Sequence, residues 1–205
     1  MSFYDTTEVI RALEKWLASL MITNPNAPDH EEPLFEVVTK LDTPDIMLAA
    51  EKTFAVTERL CCVVPGNDSY GVIKDRPLTL QRVQDFMLVM SATDFSPFSN
   101  ENVFGYGDGD TSDTLVQTGL IWMKDELIKK IFGQPLSNLV IKNDLGEVEF
   151  EASFNCTFQP TGAELAAFKN DKYEQEVREG IILALKVSMG EQTACQLRGT
   201  RRASR

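Results

Sequence analysis

The chain contains a single histidine, so any Ser–His–Asp or Cys–His mechanism has to run through His30. His30 stands in Pro28-Asp29-His30-Glu31-Glu32-Pro33, which reads as a polar loop between a helix and a strand. Its acidic neighbours favour the imidazolium form, which cannot accept a proton at neutral pH. A triad histidine is instead buried and oriented by its partners. His30 therefore reads as structural rather than catalytic.

A second cluster with chemical potential is Gly105-Tyr106-Gly107-Asp108-Gly109-Asp110-Thr111-Ser112-Asp113. Closely spaced oxygen ligands suit calcium, but an EF-hand loop needs glycine at its sixth place and glutamate at its twelfth. Counted from Asp108, those places hold Asp113 and Gly119, so the template fails. The glycines do not form G-x-G-x-x-G, and no P-loop lysine follows. The segment reads as a loop running into a helix N-cap, where carboxylates suit the helix dipole. The enzymatic alternative is a small hydrolase holding a metal on Asp108, Asp110 and Asp113.

The four cysteines offer no metal or redox motif. Cys61 and Cys62 are adjacent and Cys156 and Cys195 stand alone, without C-x-x-C or a Cys/His cluster. Neighbouring strand residues point to opposite faces, so Cys61 and Cys62 read as small core residues. Trp16, Phe35, Trp122 and the strand phenylalanines are spaced for packing, and no basic patch interleaves them for stacking on bases. No catalytic residue, metal ligand or cofactor site is assigned.

Two charged features ask for another explanation. Glu147, Glu149 and Glu151 line one face of an exposed strand, a solvated ladder or a surface turned toward a charged partner or lumen. Arg198, Arg201, Arg202 and Arg205 form a basic tail with no acid among the last eight residues, while residues 1–197 hold 16 basic and 31 acidic side chains. A tail of that composition stays disordered alone, and an acidic neighbouring copy is the natural surface to hold it.

The elements that position these groups follow from composition and periodicity. A chain of 205 residues with net charge −11 suits one domain with an elaborated arm, and its acidity disfavours a general nucleic-acid surface. The longest apolar runs, Leu60–Val64 and Ile181–Leu185, fall far short of the roughly 20 residues that cross a bilayer. Asp5 and Glu8 stand where a signal peptide would be basic, which predicts a protein made and kept in a reducing cytosol.

Val9, Ile10, Leu13, Trp16, Leu17 and Leu20 mark a first helix, stopped by the turn formers of 24–29. Leu34–Leu41 reads as a strand, Thr43-Pro44 as the start of a short helix, and Thr57–Val64 as a strand closed by Pro65-Gly66-Asn67-Asp68. Val83–Phe95 is apolar on both faces, as a central strand would be. After the loop 96–113, a helix over Asp113–Phe132 carries Val116, Leu120, Met123, Leu127 and Ile131 on one side.

From Val148 to Phe158 every even position is apolar or cysteine and every odd one polar, the strongest strand signal in the chain. Pro160 is predicted to end it, with Thr161 and Glu164 opening a short helix. Residues 181–189 fit both helical spacing and strict alternation, and strand is favoured. One wet strand face implies a sheet covered on one side. The prediction is an α+β fold: a mainly antiparallel sheet, amphipathic helices packed on one face, an extended loop and a C-terminal arm. Residues 1–160 would be the core domain and 161–205 an extension with the basic tail.

This order resembles the tail-terminator (tail-completion) proteins of tailed bacteriophages. The carrying stretches are Ile10–Leu20 with Leu34-Phe35-Glu36-Val37-Val38, the strand Phe86–Asp94, and Asp125–Phe158. In the last, a helix ending at Gly133 runs into a hairpin through Asn143-Asp144-Leu145-Gly146. The resemblance covers about residues 1–160, in pattern and order rather than in a specific motif, and other neck or head-tail connector proteins share it. Two departures stand out: the 96–113 loop is long, and 161–205 has no counterpart in smaller members.

The resemblance implies a virion structural protein without catalysis. Copies of it, usually six, would form a homo-oligomeric ring on the last ring of the tail tube, end tube growth and meet the neck. DNA would pass through without specific binding, past an acidic lumen, and assembly would take place in the host cytoplasm with no membrane involved. Glu147, Glu149, Glu151 and the four tail arginines would then face subunits or partners. The loop bearing Phe104, Tyr106, Asp108 and Asp110 would reach a neighbouring subunit or the tube.

Overall fold

The computed structural model describes residues 6–24, 27–41, 43–54, 59–72, 79–91, 120–133, 139–142, 148–152, 156–169 and 177–193. Their content is mixed: nine strands and three helices among these residues, and a main sheet that is antiparallel at all but one pairing.

Helix α1 (Thr6–Ala18) follows from its apolar stripe. Val9, Ile10, Leu13, Trp16 and Leu17 are all buried, as is Leu20 beyond the helix end. Ser19 closes α1 by donating its hydroxyl to the Trp16 carbonyl at 2.7 Å, where the last carbonyls lack helical partners. Strands β1 (Met21–Asn24) and β2 (Ala27–Pro33) then pair as an antiparallel ribbon. This corrects the sequence reading of 28–33: the backbone of His30 lies in a strand, not in a loop. Prolines at 28 and 33 and three acids hide the strand from periodicity, and a two-stranded ribbon tolerates them at its edges.

The main sheet runs in the order β3-β4-β5-β9-β8. Strand β3 (Val37–Lys40) pairs parallel with β4 (Leu60–Val72), and β4, β5 (Thr79–Ser91), β9 (Val177–Thr193) and β8 (Cys156–Lys169) pair antiparallel in succession. Helix α2 (Ile46–Phe54) links the parallel pair. Its N-cap is Asp45, whose carboxylate accepts from Leu48 N at 3.1 Å, rather than Thr43 of the sequence reading.

Strand β4 does not stop at Pro65. It passes through a bulge in which Gly66 and Asn67 oppose Asp85, and continues to Val72. Glycine is needed there, since a Cβ on residue 66 would stand 2.8 Å from the Asp85 carbonyl oxygen. A bulge absorbs the turn-forming residues that signalled an end.

Two clusters cover alternate faces of the sheet. On one, Cys61, Val63, Phe86, Leu88, Met90, Ile181, Leu183, Leu185 and Val187 meet α1 and helix α3 (Leu120–Gly133), which buries Leu120, Met123, Leu127 and Ile131. On the other, Leu60, Cys62, Val64 and Val89 meet Ala49 and Ala50 of α2 with Leu41 and Phe168. Among the described residues helices therefore lie on both faces, where the sequence pointed to one; the alternation of 148–158 is a local signal that does not describe the whole sheet.

That alternating run is itself divided. Strand β7 (Val148–Ala152) pairs with β6 (Leu139–Lys142) in a separate two-stranded sheet, whereas Cys156 onward is β8 of the main sheet. The hairpin after α3 is thus present, with Leu139 opposite Ala152. The short helix expected from Thr161 is instead strand: β8 continues through a register shift at Pro160 to Lys169. Residues 181–189 are strand, as favoured, and β9 lies between β5 and β8. The boundary drawn at residue 160 falls inside β8, so the sheet incorporates chain to Thr193.

Candidate functional site

Few residues singled out in the sequence come together. Glu149 and Glu151 lie on β7, with Val140 of β6 opposite Glu151, so their backbone positions share one strand face. Glu147, the loop residues Phe104, Tyr106, Asp108, Asp110 and Asp113, and Arg198, Arg201, Arg202 and Arg205 lie outside the described residues. Among the described residues, no group of three or more His, Cys, Asp or Glu is placed to hold a metal ion. No helix among them is long and apolar enough to cross a membrane.

The groups that are assembled form two ion-pair nodes that sequence reading missed. Arg59, nearly buried at the start of β4, donates Nη1 to Glu32 Oε1 at 2.6 Å and Nη2 to the Pro33 carbonyl at 3.0 Å. Its own amide donates to Glu36 Oε2 at 3.0 Å, and its carbonyl accepts from Glu36 N and Val37 N. Arg59 thereby fastens the β1–β2 ribbon to the main sheet, and Glu32, one of the acids beside His30, is used as a strut.

Arg82, on β5, is 2% exposed. It grips Asp68 with both Nε (3.2 Å) and Nη2 (2.7 Å), and Nη2 also donates to Thr6 Oγ1 at 2.5 Å and Gln84 Oε1 at 3.3 Å. A bidentate arginine–carboxylate pair with a hydroxyl is well satisfied, and it locks the first turn of α1 to the far end of β4. The signal for it was legible: Phe86, Leu88 and Met90 share a strand face with Gln84 and Arg82, which puts a charge on the core side.

In each node the cation is engaged by a carboxylate. The adjacent thiols are buried. Burial, aided by the neighbouring Cys62, pushes the Cys61 thiol well above its usual range. Burial pushes Cys62 up to about 11, against the opposing effect of the Lys52 ammonium. Both stay protonated at neutral pH and serve as core residues.

What the fold does expose are the two rims of its main sheet. On one rim, residues 161–165 and 167 of β8 are solvent-exposed, with Leu165 58% accessible. On the other, β3 covers only Leu60–Val63 of β4, and residues 67–71 beyond the bulge are exposed, with Tyr70 55% accessible. Among the described residues no strand pairs with the outer side of either stretch. An open strand edge carries a row of unpaired amides and carbonyls and can accept another strand.

No protein-family model matches this chain, and no curated protein matches it significantly.

Proposed function

We propose that the protein is a virion structural component that assembles into a ring, usually of six copies, on the end of a phage tail tube, ends tube growth and joins tail to neck. The observation that carries the reading is the pair of exposed sheet rims that no strand among the described residues covers. A chain whose sheet can be extended at both sides can build an assembly from copies of itself. The order of elements supports it too: an amphipathic first helix, a mainly antiparallel sheet, and a helix running into a two-stranded hairpin.

In this reading the chain contributes surfaces rather than reacting groups. Glu149 and Glu151 give the hairpin an acidic character that would let DNA slide past without sticking, since like charges repel. The arginines of 198–205 would pair with acidic surface on a neighbour, a contact weakened by salt.

The test is direct. Purified protein, imaged by negative-stain electron microscopy and weighed by native mass spectrometry, is expected to give closed rings of 23.0 kDa subunits, alone or on preformed tail tubes. Added to polymerising tube protein, it is expected to shorten the tubes. Unchanged tube lengths with no ring on either end would overturn the proposal.

A further inference from the structure

We infer that copies of this chain join head to tail by strand addition, β8 of one copy lying antiparallel along the post-bulge stretch of β4 in the next. The occupant of each open rim is thus a second copy of this chain. Closure of such contacts into a ring rests on the proposed function; the strand pairing itself rests on the geometry below.

Polarity permits the contact. From β4 to β5, β9 and β8 the sheet takes three antiparallel steps, so its two rim strands run in opposite directions. A copy placed beside another without turning over therefore presents β8 antiparallel to β4, and the sheet continues.

Side-chain faces agree as well. Leu165 pairs with Ile181, which belongs to the cluster under α1 and α3. Tyr70 pairs with Arg82, which shares a strand face with Phe86 and Leu88 of that same cluster. The two large exposed apolar residues on the rims therefore lie on the same face of the sheet, one at each edge. Setting Tyr70 against Leu165 places Val72 against Ala163 and Asp68 against Ala167. On the opposite face it sets Gly71 against Glu164 and Ser69 against Ala166. An aromatic–aliphatic pair of this kind stabilises cross-strand contacts, and no like charges oppose each other.

Charge makes the rims unusual. From Thr161 to Phe168 the edge carries one charged residue, Glu164, and along residues 66–72 the one charge is Asp68, which Arg82 already neutralises. Strand edges that must stay unpaired are usually blunted by lysine or inward charges. These two are not.

The contact also sets the geometry of the assembly. Across the sheet Leu165 is level with Ile181, Met90 and Cys61, whereas Tyr70 is level with Arg82, eight positions farther along β5 because the bulge absorbs one residue of β4. Successive copies are then offset along the strand direction by about 26 Å, at roughly 3.3 Å per residue. A closed ring takes up such an offset by tilting its strands to the axis, as a barrel does.

The test uses the full chain in a Cys156→Ser, Cys195→Ser background, the buried Cys61 and Cys62 being left in place. Tyr70→Cys and Leu165→Cys chains, one of them tagged, are mixed and treated with a short bismaleimide. A cross-link between the two different chains is expected, and a ladder of oligomers when both substitutions share one chain. Leu165→Cys alone is expected to give no dimer; an efficient one would show a two-fold pairing of β8 with itself and overturn the inference. Leu165→Lys, at an exposed position, should raise the concentration needed for assembly by roughly tenfold with an unchanged melting temperature. Rings that form but never link position 70 of one copy to position 165 of the next would remove the strand contact and leave the ring. Monomers at every concentration and on tubes, without cross-links, would remove both.

Discussion

Strand β9 in the middle of the sheet and strand β8 at its rim both turn residues toward the cluster under α1 and α3, yet those residues meet different surroundings. In β9, Ile181, Leu183, Leu185 and Val187 are buried between α3 and the neighbouring strands. In β8, Ala163, Leu165 and Ala167 point to that same side and remain exposed. The centre is held by area removed from water on both faces, roughly 25 cal/mol per Å² of apolar surface. The rim is held on one side only, by backbone bonds to β9, so its residues are free to be chosen for what docks on them. Stability should therefore respond steeply at the centre and hardly at all at the rim, whereas assembly should respond in reverse.

The largest expected effect tests the centre. Leu88, fully buried on β5, is expected to cost about 2–5 kcal/mol when changed to alanine, because the cavity left behind collapses only partly. Urea unfolding measures it, and a loss below about 1 kcal/mol would mean that the middle of the sheet is loosely packed. Leu165→Ala in the same assay should lie within about 0.5 kcal/mol of the parent.

A second, smaller effect tests the seam where centre meets rim. Gly180 of β9 lies beneath Phe168 of β8: a Cβ there would run into the Phe168 ring and stand 2.8 Å from the Met90 carbonyl oxygen. Gly180→Ala is expected to cost about 1–3 kcal/mol through overpacking. Phe168→Ala in the same chain should not restore the loss, because the Met90 carbonyl is backbone and cannot swing away.

The third contrast is in pH. The Cys62 thiol titrates at about 11 in the fold and near its ordinary 9.0 when unfolded, and Cys61 is shifted in the same direction. Between those values the folded state binds more protons, so its stability is complete below pH 9 and falls as pH rises toward 11. Denaturant midpoints across that range should fall in the parent and fall less in Cys62→Ala. A flat profile in the parent would show that water reaches the thiols.

The smallest effect concerns Glu179, beside Gly180, whose Oε2 is shielded from solvent and has no hydrogen-bond partner among the described residues. Desolvation raises its pKa above the ordinary 4.5. Its protonated form suits the fold, so the stability it contributes is present below pH 4.5 and lost as pH rises through the folded-state value. Glu179→Gln should therefore melt slightly higher than the parent at neutral pH, with the gap closing below pH 4.5. A variant that melts lower at neutral pH would show that the carboxylate has a partner.

How much of this was legible varies with the kind of signal. The stripes of α1 and α3 were readable because a helix buries a fixed angular sector, and Leu13, Leu17, Met123 and Leu127 are all fully or nearly fully buried. The 181–189 strand was favoured for its strict alternation, which β9 bears out. Local stop signals misled: Pro65-Gly66 and Pro160 read as strand ends, but β-sheets absorb such residues as bulges and register shifts at 65–68 and 160–162. The candidate site was hardly legible, since a free edge is a property of strand order, and strand order leaves no periodic trace in β8.

The amino-acid sequence by itself determined the apolar faces, the acidic body with its basic end, the poverty in histidine and the type of most elements, because each is a local or compositional property. Only the tertiary structure decided that 148–158 divides between two sheets, that α2 covers the face opposite α1, and that Tyr70 and Leu165 end up on one face at opposite rims. Those outcomes depend on hydrogen-bond partners far apart in the chain. Alternation tells a strand which side is apolar, but it cannot tell the strand beside which neighbour it will lie.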